Sequence, residues 1–193
     1  MIQANIEHKD LVAGILLQSF KDNQSVNFII RMDRHRIKRI HALMEYSFDM
    51  CLRFGEVWLS EDHDTCALVL YPHLKKTSFS TVLADLKLIV RSIGICGIGK
   101  ALKREGQIKR FQPKEDMAYL WFIGVDRLVQ HQGKGTSLLK YVIKKATADN
   151  LPVYLETSTL INLPWYQRLG FEIYNQLDLG YMLFFLKRPL DNI

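Results

Sequence analysis

A chain of 193 residues, 48% of them hydrophobic and 24% charged, can bury a sizeable core and is expected to form one domain over 1–193. Its formal net charge of +6 favours anionic ligands, and coenzymes and nucleic acids both qualify. Residues 1–20 have no long apolar run behind a basic start, and the stretch LADLKLIVRSIGICGIGKAL is interrupted by Lys87 and Arg91, so neither a secretory leader nor a membrane span is expected and a cytoplasmic location follows.

In chain order, Leu11, Val12, Ile15, Leu16 and Phe20 recur at the spacing of one helical face. After a polar break at KDNQS, Ile37, Ile40, Leu43, Met44 and Phe48 define a second helix that runs to a turn at Gly55. The runs EVWLS and TCALVLYP, joined by the acidic turn EDHD, read as an antiparallel hairpin that ends where Pro72 has no N–H to offer a ladder. From residue 76 to about 112 the pattern is helical again, with Val82, Leu83, Leu86, Ile89, Val90 and Ile93 on one side. A break at GICGIG divides this insertion into two helices. MAYLWFIGV is apolar on both faces, as a central strand should be.

Next comes QHQGKGTSLL, a glycine-rich turn entering a helix whose buried face is Leu138, Leu139, Val142, Ile143 and Ala146. LPVYLET is a short buried strand. LPWYQRLG forms a helix with Pro164 in its first turn and Gly170 at its end, and FEIYNQ and YMLFFLK close the chain as a hairpin around LDLG. Cys51, Cys66 and Cys96 form neither a disulfide framework nor a zinc cluster and are expected as reduced core thiols. The histidines show no metal-ligand spacing. The basic run RMDRHRIKRIH reads as a solvated helix face more readily than as an acidic-partner surface, and no nucleic-acid partner is expected.

The glycine turn is where chemistry concentrates. A Walker loop needs Gly where Leu128 stands and Ser or Thr where Gly135 stands, and a dinucleotide fingerprint needs a third Gly where Leu138 stands. Both readings fail. What remains is a set of backbone N–H groups at a helix N-terminus, where the helix dipole adds partial positive charge and a pyrophosphate is stabilised.

The segments GVDRLVQHQGKGTSLLKYVIKKA and VYLETSTLINLPWYQRLGFEIY resemble the GNAT superfamily of N-acetyltransferases over roughly the last eighty residues. The family pattern Gln/Arg-x-x-Gly-x-Gly/Ala is met by Gln130, Gly133 and Gly135, and Tyr166 to Phe171 match its Tyr-x-x-Leu-Gly-Phe. Arg127 stands where a Pro is common and Thr159 where an Asn is frequent, but neither change removes a backbone donor. The helical insertion, with LWFIGVD and LETS…NLPWY, is similar to the puromycin N-acetyltransferase-like branch.

The resemblance implies a single-domain GNAT-like α/β fold with a mixed, mostly antiparallel sheet flanked by helices. It further implies acetyl-CoA as co-substrate and an amine of a small molecule or peptide as acceptor. Gly133, Lys134, Gly135 and Thr136 would hold the pyrophosphate with Gln130, and the backbones of Ile123 and Val125 would meet the thioester or pantetheine arm. Tyr166 matches the family's general acid, with core packing as its alternative role. Asn162 serves either the pantetheine amides or the helix start at Pro164. Glu156 is the candidate base, an ordinary ion pair or strand-end cap being the alternative. A noncatalytic acyl-CoA-binding regulatory module would keep the loop without turnover. Neither the acceptor's identity nor the oligomeric state is encoded in a motif.

Overall fold

Apolar periodicity becomes helix and strand much as expected, and the pairing of the strands then builds the site. The structure, a computed structural model, describes residues 1–75, 88, 92–94 and 97–190. Its elements are β1 (Ile2–Gln3), α1 (Lys9–Phe20), α2 (Gln24–Ile29), α3 (Arg36–Phe54), β2 (Gly55–Leu59), β3 (Thr65–Leu70) and α4 (Ile98–Lys109). They continue with β4 (Ala118–Val125), α5 (Lys134–Ala148), β5 (Val153–Thr157), α6 (Leu163–Arg168), β6 (Glu172–Asp178) and β7 (Met182–Arg188). Among the described residues seven strands form one sheet in the order β1-β2-β3-β4-β5-β7-β6. Every neighbouring pair is antiparallel except β4 and β5. This is the mixed, mostly antiparallel α/β architecture expected from the sequence.

The sheet buries both faces. On one, Val12, Ile15 and Leu16 of α1 and Ile40, Leu43, Met44 and Phe48 of α3 pack against Leu68, Leu70 and Phe122. On the other, Leu138, Leu139, Val142, Ile143 and Ala146 of α5 pack against Ala67, Val69, Leu120 and Leu155. Ile108 of α4 joins Leu183 and Phe185 of β7 in a third cluster. Cys51 and Cys66 are free and buried in the first cluster, and burial pushes both thiols up, so neither is a ready nucleophile.

Several details depart from the periodicity. Leu11 and Ile37, expected on buried faces, are 38% and 46% exposed. Leu11 lies off the stripe carried by Val12, Ile15 and Leu16, and Ile37 sits in the first turn of α3. The KDNQS break hides the start of α2: the Asn23 side chain accepts from the Val26 N–H at 3.1 Å and caps a helix too short to show a period. The two-residue β1 likewise has no period to read. The last hairpin turns more tightly than LDLG suggests, because Leu177 and Asp178 still pair with Leu183 and Met182 and the turn falls at Gly180, with φ of 84°.

The basic run is mostly a solvated face, as expected, with Arg36 and Arg39 half-buried against polar partners. Arg39 reaches Asp33 at 2.8 Å and holds that carboxyl down to about 2, while Arg36 donates to Asn27 at 2.9 Å. The helix expected over 82–90, apart from Leu88, lies outside the described residues, as does Cys96.

Helix α3 passes into β2 without a loop, and Gly55 makes that possible. Its φ of −177° is ordinary extended backbone, but a Cβ there would lie 2.0 Å from the Val69 carbonyl oxygen of the neighbouring strand. Gly55→Ala is therefore expected to destabilise the fold by about 1–3 kcal/mol, the usual range for overpacking, read as a lower urea midpoint with an unchanged slope.

Candidate active site

β4 and β5 begin side by side and then part. Their parallel pairing covers Ala118↔Val153 and Tyr119↔Tyr154 alone. β5 continues along β7 as far as Thr157↔Phe184, while β4 continues along β3 as far as Thr65↔Val125. Beyond Tyr119 the β4 edge that should face β5 is open. The Asp126 N–H donates to the Asp64 carbonyl at 2.8 Å on the β3 side, so strand alternation turns the peptide groups of Val125 and Ile123 to the open side. There the Val125 carbonyl accepts from Ser19 Oγ and Gln130 Nε2, each at 3.3 Å.

A bulge sharpens the arrangement. Leu68 pairs with Phe122 and Val69 with Leu120, which leaves Trp121 as the extra residue of β4. Tyr119 and Phe122 consequently lie on the α1–α3 face, and Leu120 and Ile123 on the α5 face.

At the end of β4 the chain passes through the glycine turn into α5. The two glycines are needed for different reasons. Gly133 caps the helix at φ of 80°, in the left-handed region, whereas a Cβ on Gly135 would sit 3.1 Å from Val125 Cγ2. The first bond of the turn runs from the Ser137 N–H to the Gly133 carbonyl at 3.0 Å. The N–H groups of Lys134, Gly135 and Thr136 precede it and have no partner within the helix. The Lys134 ammonium donates to Asp62 and Asp64 of the β2–β3 turn, so its charge is largely compensated there and its main-chain N–H is what it adds to the turn. Thr136 Oγ1 accepts from Trp165 Nε1 at 2.9 Å, which ties α6 to the first turn of α5.

Every residue singled out from the sequence lines one cleft of about 1490 Å³: Ile123, Val125, Gln130, Gly133, Lys134, Gly135, Thr136, Glu156, Asn162 and Tyr166. Tyr166 is buried between Trp165 and Phe171, and burial pushes its phenol up, so it keeps its proton at neutral pH. Asn162 stands at the N-cap position of α6, yet its side chain makes no capping bond.

Glu156 is half-buried on β5, with Gln112 Nε2 donating to Oε1 at 2.9 Å and the Tyr119 hydroxyl donating to Oε2. Burial pushes its carboxyl up, against the downward pull of those two donors and of Arg104. Sequence reasoning missed Tyr119 and Gln112, because strand register and a motif-free connection decide that they meet Glu156. It also missed Ser158, whose buried Oγ has no hydrogen-bond partner among the described residues and which lines the same cleft.

Among the described residues the sheet thus opens at its one parallel pair, and the adjoining turn presents the N–H groups of a helix start to the opening. The family model for Acetyltransferase (GNAT) matches residues 56–171, more than half of the chain, and the chain belongs to that family. Membership carries acetyl transfer from an acyl-CoA to an acceptor. The fold agrees: a structure described as histone acetyltransferase HPA2 and related acetyltransferase from Corynebacterium glutamicum is similar at TM-score 0.71 and 17% identity, covering 100% of this chain and 96% of that one. The C-terminal condensation domain of Ebony, in complex with beta-alanyl-dopamine, is similar at TM-score 0.70 and 8% identity over 96% of each chain. Arylalkylamine N-acetyltransferase 2 from Aedes aegypti is similar at TM-score 0.62 and 16% identity over 98% of each. Among the described residues no helix is long and apolar enough to cross a membrane.

The raised Glu156 carboxyl has a consequence for stability. A group that binds its proton more tightly folded than unfolded stabilises the fold fully below its unfolded pKa, about 4.3 for glutamate, and that contribution is lost as pH rises through the folded value. Glu156→Gln is expected to lack this decline, so its melting temperature should gain on the parent's as pH rises from 4 towards neutrality. Parallel melting curves across that range would show the assignment to be wrong.

Proposed function

We propose that the protein is an acetyl-CoA-dependent N-acetyltransferase that transfers acetyl to a primary amine by direct attack on the thioester. The observation that carries this reading is the split between β4 and β5, which turns the Ile123 and Val125 peptide groups into the same cleft that holds Glu156 and Tyr166. The pyrophosphate lies on the N–H groups of Lys134, Gly135 and Thr136, near Gln130. The pantetheine arm pairs with the open β4 edge as an added strand would, with Asn162 within reach of its amides.

The amine nitrogen attacks the thioester carbonyl carbon. The new C–N bond forms, the C–S bond breaks, and the amine proton passes to Glu156 directly or through water. A carboxyl pushed up from its ordinary value is a better base near neutral pH than an exposed glutamate. Main-chain N–H groups at the split stabilise the developing oxyanion. The sulfur leaves as thiolate and takes a proton from Tyr166, which burial keeps protonated until that step, and the proton accepted by Glu156 returns to Tyr166 through water. The place in the puromycin N-acetyltransferase-like branch rests on the motif combination in the sequence and by itself names no acceptor.

Saturating acetyl-CoA should raise the melting temperature by linkage, and the absence of any shift would overturn the reading. Tyr166→Phe keeps the ring and its packing. Turnover, followed by free-thiol release, should fall by about a hundredfold with acetyl-CoA affinity nearly unchanged. Near-normal turnover in that variant would leave water as the proton donor. Gly135→Val should act in the opposite sense, since its side chain would crowd Val125 and the approach to the turn, and acetyl-CoA binding should weaken first.

A further inference from the structure

The same cleft is also lined by Phe20 of α1, Leu43 and Tyr46 of α3, Leu70 of β3, Trp121 of β4 and Leu102 of α4. One wall of the cleft is aromatic and continuous. Phe20 meets Phe122 edge-on at 4.9 Å, Phe122 lies 5.8 Å from Trp121, and Trp121 meets Tyr46 edge-on at 6.2 Å. Trp121 is the bulged residue, so the irregularity that re-aims β4 also half-exposes an indole along this wall.

The charges in the cleft are distributed unevenly. Of its lining carboxylates, Asp22 lies 3.7 Å from Arg36 and 3.4 Å from Arg127, and Glu105 lies 3.6 Å from Lys109. Glu156 has neutral hydrogen-bond donors, Tyr119 and Gln112, and no cation in ion-pair contact among the described residues. Arg104 is the reverse case. Its Nε donates to the Tyr181 hydroxyl at 3.0 Å and its Nη2 to Ser25 Oγ at 2.6 Å, so the guanidinium has hydroxyl partners and, among the described residues, no carboxylate in ion-pair contact, while its charge acts at longer range on Glu156. Its fork is partly occupied by those hydroxyls, which leaves it a source of positive potential more than a clamp for a second carboxylate.

From the aromatic wall, the one carboxylate of the described lining that stands outside an ion pair, Glu156, and the cation at Arg104, we infer that the acceptor is a monoamine with an aromatic body, and that Trp121 is the residue that selects it. The inference rests on the N-acetyltransferase reading above. The amine is placed by Glu156, the ring lies along Trp121 and Tyr46, and a second ammonium on the same molecule would meet Arg104 instead of a free carboxylate. An apolar pocket discriminates by the area it buries, so a phenyl group on the acceptor is worth at least about tenfold in kcat/KM.

The test compares 2-phenylethylamine, ethylamine and spermidine as acceptors, with free-thiol release as the readout. The expected order places 2-phenylethylamine at least about tenfold above the other two in kcat/KM. Trp121→Ala should remove most of that margin while acetyl-CoA still raises the melting temperature as in the parent, and Trp121→Phe should keep most of it. Equal rates for 2-phenylethylamine and ethylamine, faster transfer to spermidine, or an undiminished margin in Trp121→Ala would overturn the inference while leaving acetyl transfer to an amine intact. If acetyl-CoA binds but no amine is acetylated, the transfer reading fails by itself. Titration of 2-phenylethylamine against intrinsic tryptophan fluorescence then decides the pocket: saturable binding lost in Trp121→Ala supports it, and no binding overturns it.

Discussion

The structure depends on a pairing that stops after two residues. β4 and β5 share Ala118↔Val153 and Tyr119↔Tyr154, and each then follows a different partner. The divergence is held by the two halves of the sheet. β4 is committed to β3 through Val125, and β5 is committed to β7 through Thr157. A strand edge with peptide groups open to a cleft would ordinarily cost free energy or invite an unwanted strand. Here that edge is retained inside the molecule, where the ligand proposed for it has amides of its own to offer.

The other parts of the site are arranged around that opening by packing. The glycine turn leaves β4 at the mouth of the split and starts α5, whose apolar face of Leu138, Leu139, Val142 and Ile143 anchors it to the sheet. The Trp165–Thr136 hydrogen bond and the Lys134 contacts with Asp62 and Asp64 hold the turn from two further elements. The loop is thus pre-organised, which limits the ordering cost of binding an anion there. Glu156 is held by Tyr119 from β4 and Gln112 from the connection after α4, so the candidate base bridges the two strands just where they separate.

Much of the fold was legible because apolar spacing is a local property. The buried stripe of α5, the hairpin of β2 and β3 and the central position of β4 all follow from residue order, and so does the glycine turn with its motif partners Gln130 and Tyr166. Elements too short to show a period, β1 and α2, were not legible, and neither was the exposure of Leu11 and Ile37, which depends on where each helix meets the sheet.

The sequence by itself determined which groups are available: a helix start rich in free N–H donors, a tyrosine on a short helix, and a glutamate at a strand end. It also determined that Gly133 and Gly135 flank Lys134, although the separate reasons for the two glycines, backbone angle at one and contact with Val125 at the other, required coordinates. The tertiary structure alone decided that β4 and β5 part company, that Trp121 is the bulged residue, and that Tyr119 and Gln112 meet Glu156. The physical reason is that strand register and long-range pairing come from the packing of segments far apart in the chain, and no local pattern of residues records which partner a strand will keep and which it will release.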